Sequence, residues 1–184
     1  KGNRKDKYDT QTETEKKEFE QFLGEFANAF KKLKSKGYMV LKNKGLEADD
    51  LAAWIVGKKE EFGIGDIWLI SSDKDWDLLI QDGVSRFSTV TRKEITIDNW
   101  DEHYDVEPDK YLTLKCLAGD TGDNVPGIAG IGPKRAVSLI NDYGDLYDIY
   151  NSCPIDSKYK YIQSLNENVD RLLLNAELMD LESY

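Results

Sequence analysis

A chain of 184 residues with 40% apolar and 33% charged residues can build one cored domain, or one domain with a small appendage. Its formal charge of −10 argues against a protein that coats nucleic acid indiscriminately, and its longest apolar run, Leu51–Val56, falls far short of a membrane span. The charge is uneven, with 10 basic against 7 acidic residues over 1–36 and 15 against 28 over 37–184, so a local DNA-binding surface stays open.

The opening KGNRKDKYDT is polar and aperiodic, which reads as a loop or arm, and it lacks the apolar segment of a secretory signal. Lys1 is not an initiator methionine, so the chain is expected to begin after some missing or removed segment. From Glu13 to Lys34 the positions Phe19, Phe22, Leu23, Phe26, Ala29, Phe30 and Leu33 keep helical spacing, and Gly37 stops the helix. YMVL (38–41) reads as a short buried strand, and EADDLAAWIVGKK as a helix from about Ala48 with acids at its start. IWLISS (67–72) is an apolar strand ending at Ser-Ser-Asp, followed by DWDLLI as a short helix. VSRFST and EITID alternate like edge strands. DNWDEHY and PDKYLTLKCLAG read as helices, the second with Pro108 near its first turn. After Gly119 the pattern predicts only helices: GPKRAVSLINDYG, DLYDIYNS and YKYIQSLNENVDRLLLNAELM. An α/β unit over about 1–115 is thus followed by a helical part. Cys116 and Cys153 set no disulfide framework and read as ordinary thiols of a reducing compartment, which makes a cytoplasmic location the expectation.

Three acidic clusters interrupt this pattern: Glu47, Asp49 and Asp50 in GLEADD; Asp73, Asp75 and Asp77 in SSDKDWD; Asp120 and Asp123 in GDTGDN. Each has a plain reading. An Asp pair opening a helix caps it and meets its dipole, and Asp-rich turns make Asx bonds; Asp77 is read as an ordinary helix residue. An EF-hand fails, because Leu78 and Val84 stand where its glycine and glutamate belong. Position favours more than capping. The second cluster follows the carboxyl end of a buried strand, where open α/β sheets bind ligands, and the first sits at a junction entering a helix. Two carboxylates ~5 Å apart repel by roughly 3 kcal/mol at an effective dielectric of about 20. A hard divalent cation with oxygen ligands relieves that repulsion, and a pair of such ions can activate water against a phosphodiester. With His103 the only histidine, no Ser-His or Cys-His arrangement competes.

The stretch GIAGIGPKRA has glycines at 127, 130 and 132, then Pro133 and Lys134-Arg135 at the start of an apolar-periodic helix. Glycine lets a phosphate approach the backbone, and the helix start offers free N–H groups and the positive dipole end. Preceded by YLTLKCLAG, this reads as a helix–hairpin–helix, a grip on a DNA backbone that ignores base sequence. It is neither a Walker loop nor a dinucleotide fingerprint. A simple joint between helices is the plainer alternative.

GLEADDLAA, LISSDKDWDLL and GDTGDNVPGIAGIGPKRA, in this order, resemble the three signatures of the flap endonuclease, or 5′→3′ exonuclease, family, most nearly its bacteriophage members. The resemblance runs from KGNR to KYIQSLN. It implies an α/β fold: a 5′-nuclease (PIN-like) parallel-sheet domain lacking its first strands, then a helical helix–hairpin–helix region. The expected parts are a helical arch segment and long helix (1–36), an α/β nuclease core (37–115), and the hairpin with the C-terminal helices (116–184). The implied activity is metal-dependent hydrolysis of DNA at 5′ flaps and 5′ ends in replication or repair. The implied ions are two or more Mg²⁺, with Mn²⁺ as a substitute. Glu47 and Asp49, with Asp50 beside them, would hold one ion, and Asp73, Asp75, Asp120 and Asp123 the other. Lys1, Arg4 and Lys115 would meet the phosphate or the 5′ single strand. Gly130, Ile131, Gly132, Lys134 and Arg135 would grip branched or flapped DNA. In some members hairpin carbonyls also bind K⁺, and Val125 and Ile128 stand near such a site. The family's opening strand–helix segment, which carries two more metal-binding aspartates, has no counterpart here, so the chain is expected to work with its own missing N-terminal segment as a partner. A non-catalytic DNA-junction module using the hairpin alone is the alternative.

Overall fold

Among the described residues strand pairing starts only at Ile67, and all of it lies in the second of two units. A computed structural model describes residues 12–181. One unit runs to Gly45 and the other begins at Leu46.

In the first unit, helix α1 (Glu13–Ser35) is opened by a capping box in which Thr12 and Glu15 satisfy each other's backbone donors, with lysines in its last turn. Phe19, Phe22 and Phe26 stack in sequence along one face and Phe30 packs tilted against Phe26, as their spacing predicts. The expected strand at 38–41 does not form. A strand needs a partner for its backbone groups, Tyr38–Leu41 pair with no strand among the described residues, and Met39 is 85% exposed.

The second unit starts with α2 (Ala48–Gly57) and the strand β1 (Ile67–Ile70), then a 3₁₀ helix (Lys74–Leu79). Strand β2 (Val84–Phe87) pairs in parallel with β1, with Leu69 opposite Arg86, and antiparallel with the two-residue β3 (Glu94–Ile95). The order β1-β2-β3 makes β2 central, whereas its alternation suggested an edge. Ala52, Val56, Leu69, Leu79 and Val84 form the core between α2 and the sheet. Trp68 and Ile70, on the other face of β1, are exposed.

Two further 3₁₀ segments (Ile97–Glu102 and Pro108–Lys110) lead into α3 (Tyr111–Ala118). The strands do not stop there: β4 (Gly119–Asp120) and β5 (Val125–Pro126) form a small antiparallel pair. The turn places both aspartates of GDTGDN at the mouth of a hairpin, which local sequence pattern at that length does not reveal. Among the described residues four helices follow: α4 (Pro133–Tyr143), α5 (Leu146–Ser152), α6 (Lys160–Glu167) and α7 (Asp170–Met179). The last two were expected as one helix, but the chain leaves helical geometry at Asn168. Leu117, Ile128, Leu139, Ile149, Leu165 and Leu172 are all nearly or fully buried in the core these helices share. Cys116 is buried and Cys153 half-buried, both as free thiols, and burial pushes the Cys116 thiol up to about 12. Among the described residues no helix is long and apolar enough to cross a membrane.

Candidate metal centre and DNA-binding hairpin

The carboxyl end of β1 releases the chain into a tight loop. Ser71 Oγ accepts from the Asp73 N–H at 3.1 Å, and Asp73 Oδ1 accepts from the Asp75 N–H at 3.1 Å, which caps the 3₁₀ helix. Asp75 therefore projects from the first turn, two residues beyond the cap. Across from it, α3 ends at Gly119 and the β4 turn follows. Asp120 Oδ1 accepts from the Gly122 N–H at 2.8 Å and the Asp123 N–H at 3.3 Å, the bonds of an Asx turn. The two walls meet: Asp75, Asp120 and Asp123 each offer a carboxylate oxygen within 4.8 Å of the others. Asp73 lies outside that group, yet its charge reaches Asp123.

Lys115, only 8% exposed, rises from α3 between these acids. Its ammonium donates to Asp75 and, at 2.9 Å, to Asp120. Burial alone would lower its pKa, but the bonds to the two carboxylates outweigh burial and raise it above the ordinary lysine range. Burial likewise tends to raise Asp120, but the Lys115 bond and charge hold it below the usual carboxylate value. Asp123 behaves oppositely. A hydrogen bond shared with Asp75, then burial and the neighbouring negative charges, raise it to about 6. So one ammonium serves two of three crowded carboxylates, and the third holds its proton up to about pH 6. A hard oxygen donor set short of positive charge fits a divalent cation.

A pH dependence follows. Asp123 must lose its proton to ligate, so affinity for a divalent ion is expected to rise with pH and level off above about pH 6. Stability of the ion-free chain moves the other way. The raised group contributes fully below its ordinary value of 3.8, and that contribution is lost as pH rises through about 6. Calorimetric Mn²⁺ titrations between pH 5 and 8 check the first statement; an affinity flat across that range would contradict it.

Glu47, Asp49 and Asp50 open α2. The Glu47 N–H donates to Asp50 Oδ2 at 2.8 Å, and the Asp50 N–H to Asp49 Oδ1 at 3.1 Å. These are capping bonds, the plain reading of that cluster. Asp49 is also half-buried, and its desolvation raises its pKa. Lys1 and Arg4 lie outside the described residues.

The hairpin is tied to this centre through glycine. A Cβ on Gly119 would sit 2.2 Å from the Gly127 nitrogen, and one on Gly127 2.3 Å from the Ala118 carbonyl carbon, so the backbones cross where no side chain fits. Gly127 thus serves packing, whereas Gly132 meets nothing within 4 Å and leaves the start of α4 open. Gly132 caps α4 and Pro133 occupies its first turn. Ile131 is buried and anchors the loop, while Lys134 and Arg135 are exposed. The Arg135 guanidinium lies 4.6 Å over the Tyr161 ring and donates to the Gly130 carbonyl. The Ile128 carbonyl accepts from the Ile131 N–H at 2.9 Å. Behind the hairpin, Asn175 of α7 is 1% exposed and donates to the Cys116 and Pro126 carbonyls at 2.9 and 3.0 Å.

One buried group went unread in the sequence. Asp77 (1% exposed) and Arg86 (4% exposed) form an ion pair, joined by Tyr104. A signal was present: in VSRF, Arg86 falls on the same face as Val84, so a core-facing cation needed a carboxylate.

Comparison with known proteins agrees with these features. Residues 106–184 match the family model described as 5′-3′ exonuclease, C-terminal SAM fold. The flap endonuclease of Escherichia phage T5 is 42% identical over 185 residues, covering 100% of this chain and 63% of the relative. A crystal structure of the T5 protein co-crystallised with metal ions superposes with a TM-score of 0.92 at 41% identity, covering 100% of this chain and 68% of that one. A complex of the T5 flap endonuclease with DNA and metal ions gives a TM-score of 0.90, covering 67% of that chain. The chain thus spans a little under two thirds of the length of the curated relative. With 41–42% identity and a shared fold along its whole length, the chain belongs to the flap endonuclease and 5′–3′ exonuclease family.

Proposed function

We propose that this chain forms the larger part of a structure-specific 5′ nuclease that hydrolyses DNA phosphodiesters at 5′ flaps and ends, with Mg²⁺ as its working ion. The observation that carries this reading is the backbone crossing at Gly119 and Gly127, which couples the Asp75–Asp120–Asp123 centre to the hairpin within a few residues. Grip and cut then act on the same strand. The T5 relative's structure in complex with DNA and metal ions supports the same pairing of ligands.

Asp75, Asp120 and Asp123 would hold a divalent ion, with Asp73 close enough to add negative charge. A bound ion supplies Lewis-acid charge and a water of lowered pKa. Lys115 reaches the same carboxylates and would set a positive charge beside the phosphate, where charge grows during displacement. Glu47, Asp49 and Asp50 supply further carboxylates for a second ion. Lys134, Arg135 and the open backbone at Gly132 would hold phosphates without reading bases. Lys1 and Arg4 would meet the 5′ single strand. K⁺ would seat on carbonyls near Val125 and Ile128.

Cleavage of a 5′-flapped duplex by the purified chain, with Mg²⁺ and with EDTA, tests the reading. Binding without ion-dependent cleavage would leave a junction-binding module. For the hairpin, changing Lys134 and Arg135 to Ala is expected to weaken binding to all duplex sequences alike. The log–log salt slope should become shallower by about 0.9 for each phosphate that is no longer neutralised. Fluorescence anisotropy over a salt series measures this, and a weakening confined to particular base sequences would contradict a backbone grip.

A further inference from the structure

The loop that presents Asp73 and Asp75 is closed into a ring by one side chain. Arg86 Nη1 donates to the Ser71 carbonyl at 2.9 Å, two residues before Asp73. Its Nη2 donates to Asp77 Oδ2 at 2.8 Å and its Nε to Asp77 Oδ1, two residues after Asp75. Inside the ring, Ser71 Oγ holds Asp73 and Asp73 holds Asp75 through backbone N–H groups. In a 3₁₀ helix residues two apart point in different directions, so Asp77 enters the core while Asp75 faces the other carboxylates. Tyr104 donates to Asp77 Oδ2, and its ring lies 4.5 Å from that of Tyr111. Tyr111 stands one turn before Lys115 on α3, so packing links the ring to the opposite wall.

A buried ion pair is weak evidence of stability, because an apolar pair of similar volume serves as well or better. What an apolar pair cannot do is hold a carbonyl and a carboxylate at once. From this geometry we infer that Arg86 and Asp77 are positioning residues, which fix the ligand loop so that Asp75 meets Asp120 and Asp123 at a distance an ion can bridge. The inference rests on the nuclease reading above. Arg86 is fitted to the task because its planar fork presents several donors in fixed directions, which an ammonium cannot.

The test replaces both members together, Asp77→Leu with Arg86→Met, which changes no net charge and leaves no buried charge alone. Mn²⁺ alone is the probe, titrated by calorimetry, with flap cleavage and thermal melting measured alongside. The double variant is expected to melt cooperatively near the parent temperature, to bind Mn²⁺ about 10- to 100-fold more weakly, as when outer-shell partners of a metal site are removed, and to lose kcat while KM for DNA stays within about twofold. A folded double variant with parental Mn²⁺ affinity and kcat would overturn the inference. Should it not fold, Arg86→Lys decides: it keeps the charge and reaches Asp77 but releases Ser71, so weaker Mn²⁺ binding supports the clamp and parental affinity overturns it. A parent chain that neither binds Mn²⁺ nor cuts would overturn the nuclease reading, and the clamp with it; a parent that does both, beside variants that match it, would overturn the clamp alone.

Discussion

On the proposed nuclease reading, Asp120→Asn is expected to reduce divalent-ion-dependent flap cleavage by more than about 100-fold, beyond the 10- to 100-fold typical of losing an outer-shell partner of a metal site, while DNA affinity stays level or improves. The asparagine Oδ1 can still accept from Gly122 and Asp123, so the turn survives. The negative charge is lost, and with it an oxygen that shares Lys115 with Asp75. Removing an acid from a surface proposed to face phosphates cannot weaken electrostatic attraction, so binding measured with EDTA present should not suffer. A second readout is independent of turnover. Asp120 is one of the charges that raise Asp123, so the Asp123 pKa, about 6 in the parent, should fall in the variant. NMR titration of the Asp123 carboxyl measures it. Cleavage within threefold of the parent, together with an unmoved Asp123, would take Asp120 out of the centre.

Much of this centre is legible in the sequence. Asp75, Asp120 and Asp123 stand out because carboxylates at a strand's carboxyl end and between glycines have no packing role there, and the hairpin shows itself through Gly-x-Gly-Pro-Lys-Arg. The helices were legible for the usual reason: α1, α2 and α4 carry apolar residues at helical spacing over at least ten residues. The errors share a different cause. Tyr38–Leu41 has strand composition, but a strand exists only with a partner, and partners are set by tertiary structure. Strands β4 and β5 are too short for any periodicity, and the glycine crossing that joins them depends on residues 119 and 127 meeting in space. Gly127 looks in the sequence like one more glycine for phosphate approach, whereas in the fold its missing Cβ is required by the close Ala118–Gly119 backbone. Asp77 reads as an ordinary helix residue, and only its partner on β2, nine residues on, shows it to be one half of a buried ion pair.

That partner leads to the largest expected loss of stability. Asp77→Ala leaves the Arg86 guanidinium 4% exposed and without its carboxylate. Breaking a buried pair from one side typically costs about 3–5 kcal/mol. At about 2–4 °C per kcal/mol for a chain of this size, Tm should fall by roughly 6–20 °C. The pair's own bonds already overcome burial enough to raise Arg86 above its ordinary range, so the guanidinium will not escape by losing its proton. It must either stay charged in the core or drag β2 and the loop toward water. Tyr104 would lose its acceptor at the same time, leaving a half-buried hydroxyl to find another. The contrast with the double replacement by leucine and methionine separates two quantities that a single variant confuses. If the pair mattered for stability alone, the single and double variants would both melt early. If the charge left behind is the cost, the double variant should recover most of the lost Tm, since no buried charge remains. Thermal melts of parent, Asp77→Ala and the double variant decide this, and a double variant that melts as early as the single one would mean that the pair itself holds the sheet and the 3₁₀ helix together.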